Sequence, residues 1–323
     1  MNTAPETFVF DPSLISTLTV NSIRAAHDLP DALLTGIPQL DDHYVMHRPR
    51  RVNGIIAHTS EGKTSVMNLV ARSFVPQILE QENEIVLFAT WEDSVEDLSL
   101  AFMAQTSRVP LKSLFSGKLS ISEWDSMMKA ATQRATTPLW LIGHSEQKEA
   151  RRPRLTVTDI WNGLEYIIDK RKKKVRAVFM DYLQRITTDD TKGDIRERYM
   201  RTMDKIKDLS LAFDTDVIIG SQVSREVKQR KWKQPQITDA QETSNFEQTC
   251  DGIISLWIPK KDEPMGSSLI EKKGIDGQEV RVTNNLMLIQ TLKQKKGEAP
   301  VLRAVDFLPE TNEIQTYNPQ RKP

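Results

Sequence analysis

Short apolar runs alternate along the chain with longer segments in which apolar residues recur at helical spacing. The helical segments are clearest at residues 66–74, 160–168 and 199–213, where the apolar side chains share one face. The apolar runs have the length of strands and cover residues 52–57, 85–90, 139–142, 175–180, 217–220, 253–257 and 286–292. This alternation predicts an α/β fold in which a mainly parallel, twisted sheet carries helices on both faces.

The chain between and before these strands and helices is predicted to form surface loops and an N-terminal leader. Segments 187–194, 226–236 and 260–278 lack apolar periodicity and should be surface loops. Thr158 is the predicted N-cap of the helix over residues 160–168. Residues 1–34 form a leader whose apolar, helical piece packs either on its own domain or on a neighbouring subunit. At roughly 100–200 residues per domain, the 323 residues allow one large domain or two small ones, and residues 35–323 are interpreted as one domain.

Composition excludes several classes of protein. The 44 Lys and Arg residues balance the 44 Asp and Glu residues, so a polyanion site must come from local clustering of charge. Cys250 is the only cysteine, which excludes an internal disulfide framework and a cysteine-rich zinc site. No apolar stretch approaches the roughly 18 residues of a membrane span, and the first residues lack a secretory signal. A soluble, cytoplasmic protein is therefore expected.

The strongest candidate chemistry lies between a predicted strand and a predicted helix, in the segment Ala57-His-Thr-Ser-Glu-Gly-Lys-Thr-Ser65. A loop in this place presents backbone N–H groups and a helix N-terminus to phosphate oxygens. Lys63 can reach the β and γ phosphates, and the Thr64 hydroxyl can ligate Mg²⁺. An ordinary strand-to-helix turn is the alternative, since Ala57 replaces the usual opening glycine. The predicted nucleotide-binding residues are Thr59, Ser60, Glu61, Gly62, Lys63, Thr64 and Ser65.

A second motif supports the first. The apolar run at residues 175–180 ends in Asp181, where P-loop NTPases carry the carboxylate that holds magnesium. A strand that ends in an aspartate is common, but its combination with a Gly-Lys-Thr loop is not. The two motifs together predict that the protein binds ATP and Mg²⁺, with Thr64 and Asp181 as the metal-binding residues.

These motifs, and others in the same order, resemble those of the DnaB-type replicative helicases. The segment Val178-Phe-Met-Asp-Tyr-Leu-Gln184 resembles the family's IDYLQ signature, and residues 59–64 resemble its PSMGKT loop. Further resemblances cover residues 35–41, 86–92, 107–124, 220–225, 247–251 and 292–297. The resemblance thus extends over about residues 35–320, the C-terminal ATPase domain, without the family's N-terminal helical domain. It implies a RecA-like fold and a hexameric ring that hydrolyses ATP between subunits around single-stranded DNA.

The resemblance also implies catalytic roles in the chain's own subunit. Besides Lys63 in the phosphate loop, Glu92 would orient and polarise the attacking water, and Gln222 would sense the γ-phosphate. Taken from the residues alone, two alternatives stay open. Glu92 can cap a helix together with Asp93, and Gln222 can be a solvated turn residue.

Two further catalytic residues are implied at the neighbouring subunit's ATP, namely Lys293 and Lys295. Lys295 stands where the family has an arginine finger. A lysine keeps the charge but lacks the planar, bidentate guanidinium, so slow turnover or a contribution from Lys296 are both open. The alternative interpretation of this segment is a solvated basic run.

A DNA-binding loop is expected after the sensor residue. The segment from Arg225 to Lys233 concentrates positive charge and includes Trp232, as a loop that grips phosphates and stacks a base would. A solvated basic loop is the alternative. The next family loop usually reads Arg-Glu-Ser-Gly and is Gln-Glu-Thr-Ser here, without the arginine and glycine. The predicted DNA-binding residues are Arg225, Lys228, Arg230, Lys231 and Glu242.

Three functions of different classes fit these features. The first is an ATP-dependent DNA helicase or translocase, and the second is a RecA-like assembly or regulatory ATPase that switches partners without unwinding. The third, a structural subunit with little turnover, is disfavoured because a scaffold has no need of both Glu92 and Asp181. The resemblance favours the helicase, acting as a homo-oligomer on single-stranded DNA, away from membranes, with a loader or primase as candidate partner. Such a protein would work in the bacterial cytoplasm, encoded by the bacterium or by a phage or plasmid.

Overall fold

The computed structural model describes residues 11–28, 33–44, 50–79, 83–146, 155–186, 194–240, 243–275, 278–295, 297–318 and 320. They fall into two compact units, residues 1–32 and residues 33–323. In the first unit, Pro12–Asp28 form helix α1, which covers the helical piece expected in the leader. Among the described residues, no helix is both long enough and apolar enough to cross a membrane.

The second unit alternates strands and helices over most of its length. Its described helices are α2 (Pro38–Asp41), α3 (Lys63–Ile78), α4 (Val95–Ser107), α5 (Leu111–Ser116), α6 (Ile121–Thr136), α7 (Val157–Arg171), α8 (Ile195–Ala212) and α9 (Thr243–Thr249). Its described strands are β1 (Val52–Ala57), β2 (Glu84–Thr90), β3 (Leu139–Ile142), β4 (Lys174–Asp181), β5 (Asp216–Gln222), β6 (Gly252–Trp257), β7 (Ser268–Ile275), β8 (Gln278–Arg281), β9 (Leu286–Gln294), β10 (Val301–Leu308) and β11 (Glu313–Thr316).

Within the described part of the chain, nine strands form one sheet in the order β11-β10-β9-β6-β1-β5-β4-β2-β3. The six strands from β6 to β3 in this order run parallel to one another. Strands β9, β10 and β11 extend the sheet antiparallel beyond β6. Strands β7 and β8 pair with each other in a separate small sheet.

Helices cover both faces of the large sheet because successive residues of its strands point to opposite sides. In β1, Ile55 belongs to the apolar cluster on one side and Ile56 to the cluster on the other. The first cluster includes α3 through Phe74, and the second includes α7 through Ile160 and α8 through Ile206. All five side chains are fully buried, and each such burial stabilises the fold by about 1.5–3 kcal/mol.

The turn before β1 is fixed by one carboxylate. Asp41 accepts hydrogen bonds from the backbone N–H of Thr35 at 2.7 Å and of Gly36 at 3.0 Å, and from the Thr35 hydroxyl at 2.8 Å. Gly36 has a φ of +76°, and a Cβ at this position would lie 2.1 Å from Ser73 Oγ on α3. The segment at residues 35–41 therefore serves to seat the chain closely against α3.

The structure confirms the predicted α/β class, and each of the predicted strands and helices is present. Three details differ from the expectations. Residues 260–278 are not a plain loop, because β7 lies within this segment and β8 begins at its end. Helix α7 is capped by Thr156 rather than Thr158, because the Thr156 side chain and Asp159 form a reciprocal capping box. The antiparallel strands β10 and β11 were not predicted. Most of the predicted loop at residues 187–194 lies outside the described residues.

Candidate active site

The parallel register brings several predicted site residues to one edge of the sheet. Ala57 at the end of β1 pairs with Gln222 at the end of β5, and Thr90 at the end of β2 pairs with Asp181 at the end of β4. In open α/β sheets, ligands bind in the crevice beyond the carboxyl ends of the strands. The phosphate loop follows β1 at this edge, and Glu92 follows β2.

The loop between β1 and α3 turns through two residues with left-handed backbone. Ser60 has a φ of 66° and Gly62 a φ of 80°, and Gly62 directly precedes α3. A Cβ on Gly62 would lie 2.9 Å from Met287 Cε, so a larger residue would be both strained and crowded. The turn therefore requires glycine where the phosphate-loop pattern has it, and it places Lys63 and Thr64 in the first turn of α3.

Lys63, Thr64 and Asp181 meet directly. The Lys63 ammonium donates to Asp181 Oδ1, and the Thr64 hydroxyl donates to Asp181 Oδ2. The Lys63 ammonium also lies 4.3 Å from the ring centroid of Tyr182, a cation–π contact. Lys63 and Asp181 are both buried, and Gly220 on β5 leaves room for them, because a Cβ there would lie 3.0 Å from Lys63 Cδ.

Two of these residues, Lys63 and Thr64, line a cleft of about 510 Å³. Glu92 and Gln222, two of the predicted catalytic residues, line it together with the phosphate loop. The structure therefore brings the predicted Lys63, Glu92 and Gln222 to one cleft. The other lining residues are His58, Thr59, Ser60, Gly62, Thr64, Ser65, Asp93, Ile258, Lys260, Lys261, Asn284, Asn285, Phe307 and Pro309.

Asp93 is a cleft residue for which the sequence suggested only a capping role. Burial, followed by the negative charges of Asp181 and Glu92, raises the pKa of its carboxyl to about 6. The N-cap of α4 is Ser94, whose side chain accepts a hydrogen bond from the backbone N–H of Asp97. The N-cap of α4 is therefore neither Glu92 nor Asp93, and the raised pKa of Asp93 reflects first its burial in the cleft wall.

Gln184 is a second residue whose role the sequence did not reveal, although it belongs to the quoted signature segment. Its side-chain carbonyl accepts a hydrogen bond from the backbone N–H of Gln222 at 3.1 Å. Its amide nitrogen lies 2.9 Å from the hydroxyl of Ser221, to which it donates. The end of β5 is thereby fixed by a side chain that follows β4. Only the occurrence of Gln184 directly after the Asp181 motif hinted at this position.

Glu61 is the one predicted nucleotide-binding residue that is absent from the cleft lining. Its side chain is 1% exposed and its carboxylate faces other parts of the protein. It accepts hydrogen bonds from the backbone N–H of Ile258 at 2.6 Å and from the Lys228 ammonium at 3.1 Å. Direct contact between the Glu61 carboxylate and a nucleotide in the cleft is therefore not supported by this arrangement.

Lys293 and Lys295 lie at the opposite edge of the sheet. Strand β9 is antiparallel to β6, so Gln294 pairs with Gly252 at the start of β6. The Lys293 ammonium donates to the carbonyl oxygen of Glu247 at 2.6 Å. At about 3.3 Å per strand residue, the length of β1 separates this edge from the phosphate loop by about 20 Å. Neither lysine can reach the nucleotide cleft of its own chain.

Asp251 anchors Lys295 at that far edge. Its carboxylate accepts hydrogen bonds from the ammonium groups of Lys295 at 3.2 Å and Lys207 at 3.0 Å, and from the backbone N–H of Val52 at 3.1 Å. Burial acts to raise the pKa of Asp251, but these hydrogen bonds outweigh burial and the pKa is lowered. The Lys295 side chain is 65% exposed and so remains accessible to a neighbouring molecule.

The predicted DNA-binding residues have different surroundings. Lys228 bonds to Glu61 and to Asp262, and Arg230 bonds to Asp239. Lys231 is exposed. For Arg225 only the backbone is described, as the first residue of a short 3₁₀ helix. Glu242 and Lys296 lie outside the described residues.

The parallel sheet, the Gly-Lys-Thr loop after β1 and the aspartate at the end of β4 define a P-loop NTPase domain with a RecA-like fold. The model of the DnaB-like helicase C-terminal domain family matches residues 32–313. The chain belongs to this family, as its motifs indicated.

Comparisons with individual relatives agree. Replicative DNA helicase DnaB of Geobacillus stearothermophilus is 24% identical over 244 residues, covering 74% of this chain and 50% of the relative. The DnaB helicase of Mycoplasma pneumoniae is 21% identical over 309 residues, covering 94% of this chain and 59% of the relative. The chain thus spans about half the length of the curated relatives it matches.

Solved structures share the fold. A chain solved as an isolated ATPase domain superposes with a TM-score of 0.76 at 18% identity, covering 96% of this chain and 100% of that one. A DnaB-like replicative helicase studied for its interactions with primase superposes with a TM-score of 0.75 at 18% identity. In that case the match covers 96% of this chain and 68% of the solved chain. These similarities establish the RecA-like architecture.

Proposed function

We propose that residues 35–323 form an ATPase domain that hydrolyses ATP in the cleft beyond β1, with residues 1–34 as a leader. The observation that carries this proposal is the meeting of Lys63 and Thr64 with Asp181, beside a cleft that Lys63 and Thr64 line together with Glu92 and Gln222. Backbone N–H groups of the phosphate loop and the start of α3 bind the phosphates. Lys63 leaves Asp181 to contact the β and γ phosphates.

The residues present fit a magnesium ion. The Thr64 hydroxyl and the Asp181 carboxylate are hard oxygen donors, and they already lie within hydrogen-bond distance of each other. They would hold Mg²⁺, with Asp181 acting through water. When bound with ATP, magnesium neutralises charge on the β and γ phosphates.

The chain's own groups supply the remaining chemistry. Glu92 orients the attacking water and accepts its proton. Gln222 contacts the γ-phosphate and passes its presence to the residues that follow β5. Lys293 and Lys295 act on ATP bound to the neighbouring subunit, since they lie about 20 Å from their own chain's phosphate loop. This placement supports a head-to-tail ring, in which one edge of each subunit completes the cleft of the next.

We further propose that this ring, a homohexamer, is a helicase that moves on single-stranded DNA, with Arg225, Lys228, Arg230, Lys231 and Glu242 as candidate contacts. The relatives named above are replicative DNA helicases, which supports this function over an assembly or regulatory ATPase. A primase or a loader is the candidate protein partner, because one structural neighbour was studied with primase. The bacterial sources of the relatives support action in a bacterial cytoplasm, whether the gene is bacterial or carried by a phage or plasmid.

The first test is ATP hydrolysis with and without single-stranded DNA. The wild-type protein should hydrolyse ATP in the presence of Mg²⁺, and single-stranded DNA should stimulate the rate. Glu92→Gln should abolish hydrolysis while ATP still binds, which controls for contaminating ATPases. Hydrolysis that is indifferent to DNA would overturn the helicase proposal but leave the ATPase proposal intact. An unwinding assay on a forked duplex then separates a helicase from a translocase.

A further inference from the structure

Glu61 introduces a negative charge into a loop whose other groups suit phosphate. If its carboxylate faced the cleft, it would repel a nucleotide. The side chain is instead 1% exposed and does not line the cleft. A buried carboxylate is costly unless it is paired and hydrogen-bonded, so the partners of Glu61 determine what this residue does.

The Glu61 carboxylate joins the phosphate loop to two other parts of the structure. One oxygen accepts a hydrogen bond from the backbone N–H of Ile258, directly after β6, at 2.6 Å. The other accepts from the Lys228 ammonium at 3.1 Å, in the segment that follows β5 and Gln222. Glu61 therefore joins the middle of the loop to the segments that follow the two strands flanking β1 in the sheet.

Lys228 is itself held in place. Its ammonium also donates to Asp262 Oδ2 at 2.7 Å, and that oxygen accepts a second hydrogen bond from the Trp257 indole N–H at 2.9 Å. Burial acts to lower the pKa of Lys228, but its hydrogen bonds to Asp262 and Glu61 outweigh burial and the pKa is raised. Lys228 thus stays charged while 28% exposed, as a fixed cation between two carboxylates.

Loss of Lys228 leaves the buried charge of Glu61 without its counter-ion. Without Lys228, the buried Glu61 carboxylate keeps one described partner, the Ile258 N–H, and a buried charge without its counter-ion is strongly destabilising. Movement of Glu61 toward water then relieves the unpaired charge. The adjacent residues Gly62, Lys63 and Thr64, which are the phosphate-binding part, would move with it. When both charges are removed together, this cost disappears.

We propose that Glu61 and Lys228 form a positioning pair that holds the phosphate loop in its nucleotide-binding conformation. Lys228 acts on nucleotide affinity through Glu61, without contacting the nucleotide. This inference rests on the proposed function, because it assumes that the loop binds ATP. It also gives Lys228 a role other than the DNA contact that its position after Gln222 suggested.

The experiment is a fluorescence titration of the full chain with mant-ADP and Mg²⁺ in the absence of nucleic acid. Lys228→Met should weaken binding about tenfold or more, because Glu61 loses its counter-ion. The double variant Glu61→Gln with Lys228→Met should recover affinity to within about threefold of wild type, since the loop no longer carries the unpaired charge of Glu61, while Asp262 loses Lys228 in both variants alike. Lys174→Met is the matched control. This substitution removes a lysine at the start of β4 whose ammonium lies 3.4 Å from the Glu84 carboxylate, and the variant should bind mant-ADP as wild type does.

Each outcome separates the two proposals. If wild type binds no mant-ADP, the proposed function fails. If wild type binds and Lys228→Met binds equally well, the positioning pair is refuted. An effect of Lys228→Met that is the same in the wild-type and the Glu61→Gln backgrounds would refute the pairing as well. Should Lys228→Met fold poorly by circular dichroism, Lys228→Arg decides, because the restored charge should keep affinity within about threefold of wild type.

Discussion

Gln184 and Gln222 are joined through one side chain: the Gln184 amide carbonyl accepts a hydrogen bond from the Gln222 backbone N–H at 3.1 Å. Gln184 also bonds to the hydroxyl of Ser221, the residue before Gln222, at 2.9 Å. The last residues of β5 are therefore fixed by a residue that follows β4. Any function of Gln222 at the γ-phosphate depends on this support.

Gln184→Leu should lower kcat about tenfold and leave the KM for ATP within about twofold of wild type. The reason is that the substitution leaves the phosphate loop intact but removes the hydrogen bonds that orient the end of β5. Steady-state ATPase kinetics measure both parameters. Gln39→Leu is a control, because Gln39 bonds to Thr316 away from the cleft and its loss should change neither value. A raised KM with unchanged kcat would contradict the positioning role.

Asp93 makes stability depend on pH in a direction opposite to that of a salt-bridged carboxylate. Its pKa is about 6 in the folded protein, against an ordinary value of 3.8. Between these values the folded state binds more protons than the unfolded state, so the free energy of unfolding falls as pH rises through this window. The destabilisation by the Asp93 charge is therefore absent below pH 3.8 and complete above pH 6.

Asp93→Asn should therefore stabilise the protein by about 1–2 kcal/mol at pH 7.5 and by nothing measurable near pH 4, after discount for partial exposure. Urea denaturation in EDTA without nucleotide measures this difference. Asp125→Asn is the control, because Asp125 is exposed on α6, away from the cleft. A stabilisation by Asp93→Asn that is equal at both pH values would show that the Asp93 charge is not its source.

Substitution of two glycines with similar backbone conformations distinguishes the cost of steric crowding from the cost of backbone strain. Gly36 and Gly117 have φ values of +76° and +65°. A Cβ added to Gly36 would lie 2.1 Å from Ser73 Oγ, whereas a Cβ added to Gly117 would have no neighbour within 4 Å. Gly117→Ala should cost about 1 kcal/mol, from the left-handed backbone alone. Gly36→Ala should cost about 3 kcal/mol or more, because α3 must also move. Equal shifts of the urea midpoint would contradict the close approach to α3.

The parallel half of the sheet could be predicted because its strands are buried on both faces. Strands such as β1 and β5 then read as continuous apolar runs with sharp ends. The phosphate loop and Asp181 followed from local patterns, since each lies directly after such a strand. The expected fold and family rested on these short segments and are confirmed.

The antiparallel part and the contacts within the site could not be predicted in the same way. Strand β10 carries the polar residues Arg303 and Asp306 among its apolar ones, so no continuous apolar run marks it. The Glu61 contact with Lys228 joins residues that are 167 positions apart, and the Gln184 contact with Gln222 joins residues 38 positions apart. Such pairings arise only from the register of neighbouring strands, which periodicity along one strand does not specify.

Lys295 supplies a test of the ring. It lies at the far edge from its own cleft and pairs there with Asp251, with 65% of its side chain exposed. If it acts on the neighbour's ATP, Lys63→Ala and Lys295→Ala should each be nearly inactive alone. Lys295→Arg should hydrolyse ATP at least as fast as wild type, because a guanidinium matches phosphate oxygens better than an ammonium does.

Mixing the two inactive variants should then restore activity. A Lys295→Ala subunit retains Lys63 and can bind ATP, and a neighbouring Lys63→Ala subunit supplies an intact Lys295. In a randomly mixed ring at equal amounts, about one quarter of the interfaces combine the two intact residues, so about one quarter of wild-type hydrolysis is expected. A mixture of Lys63→Ala with the Lys63→Ala/Lys295→Ala double variant contains no such interface and should stay inactive. Full activity of Lys295→Ala alone would instead reduce Lys295 to a partner of Asp251, because hydrolysis would proceed without it.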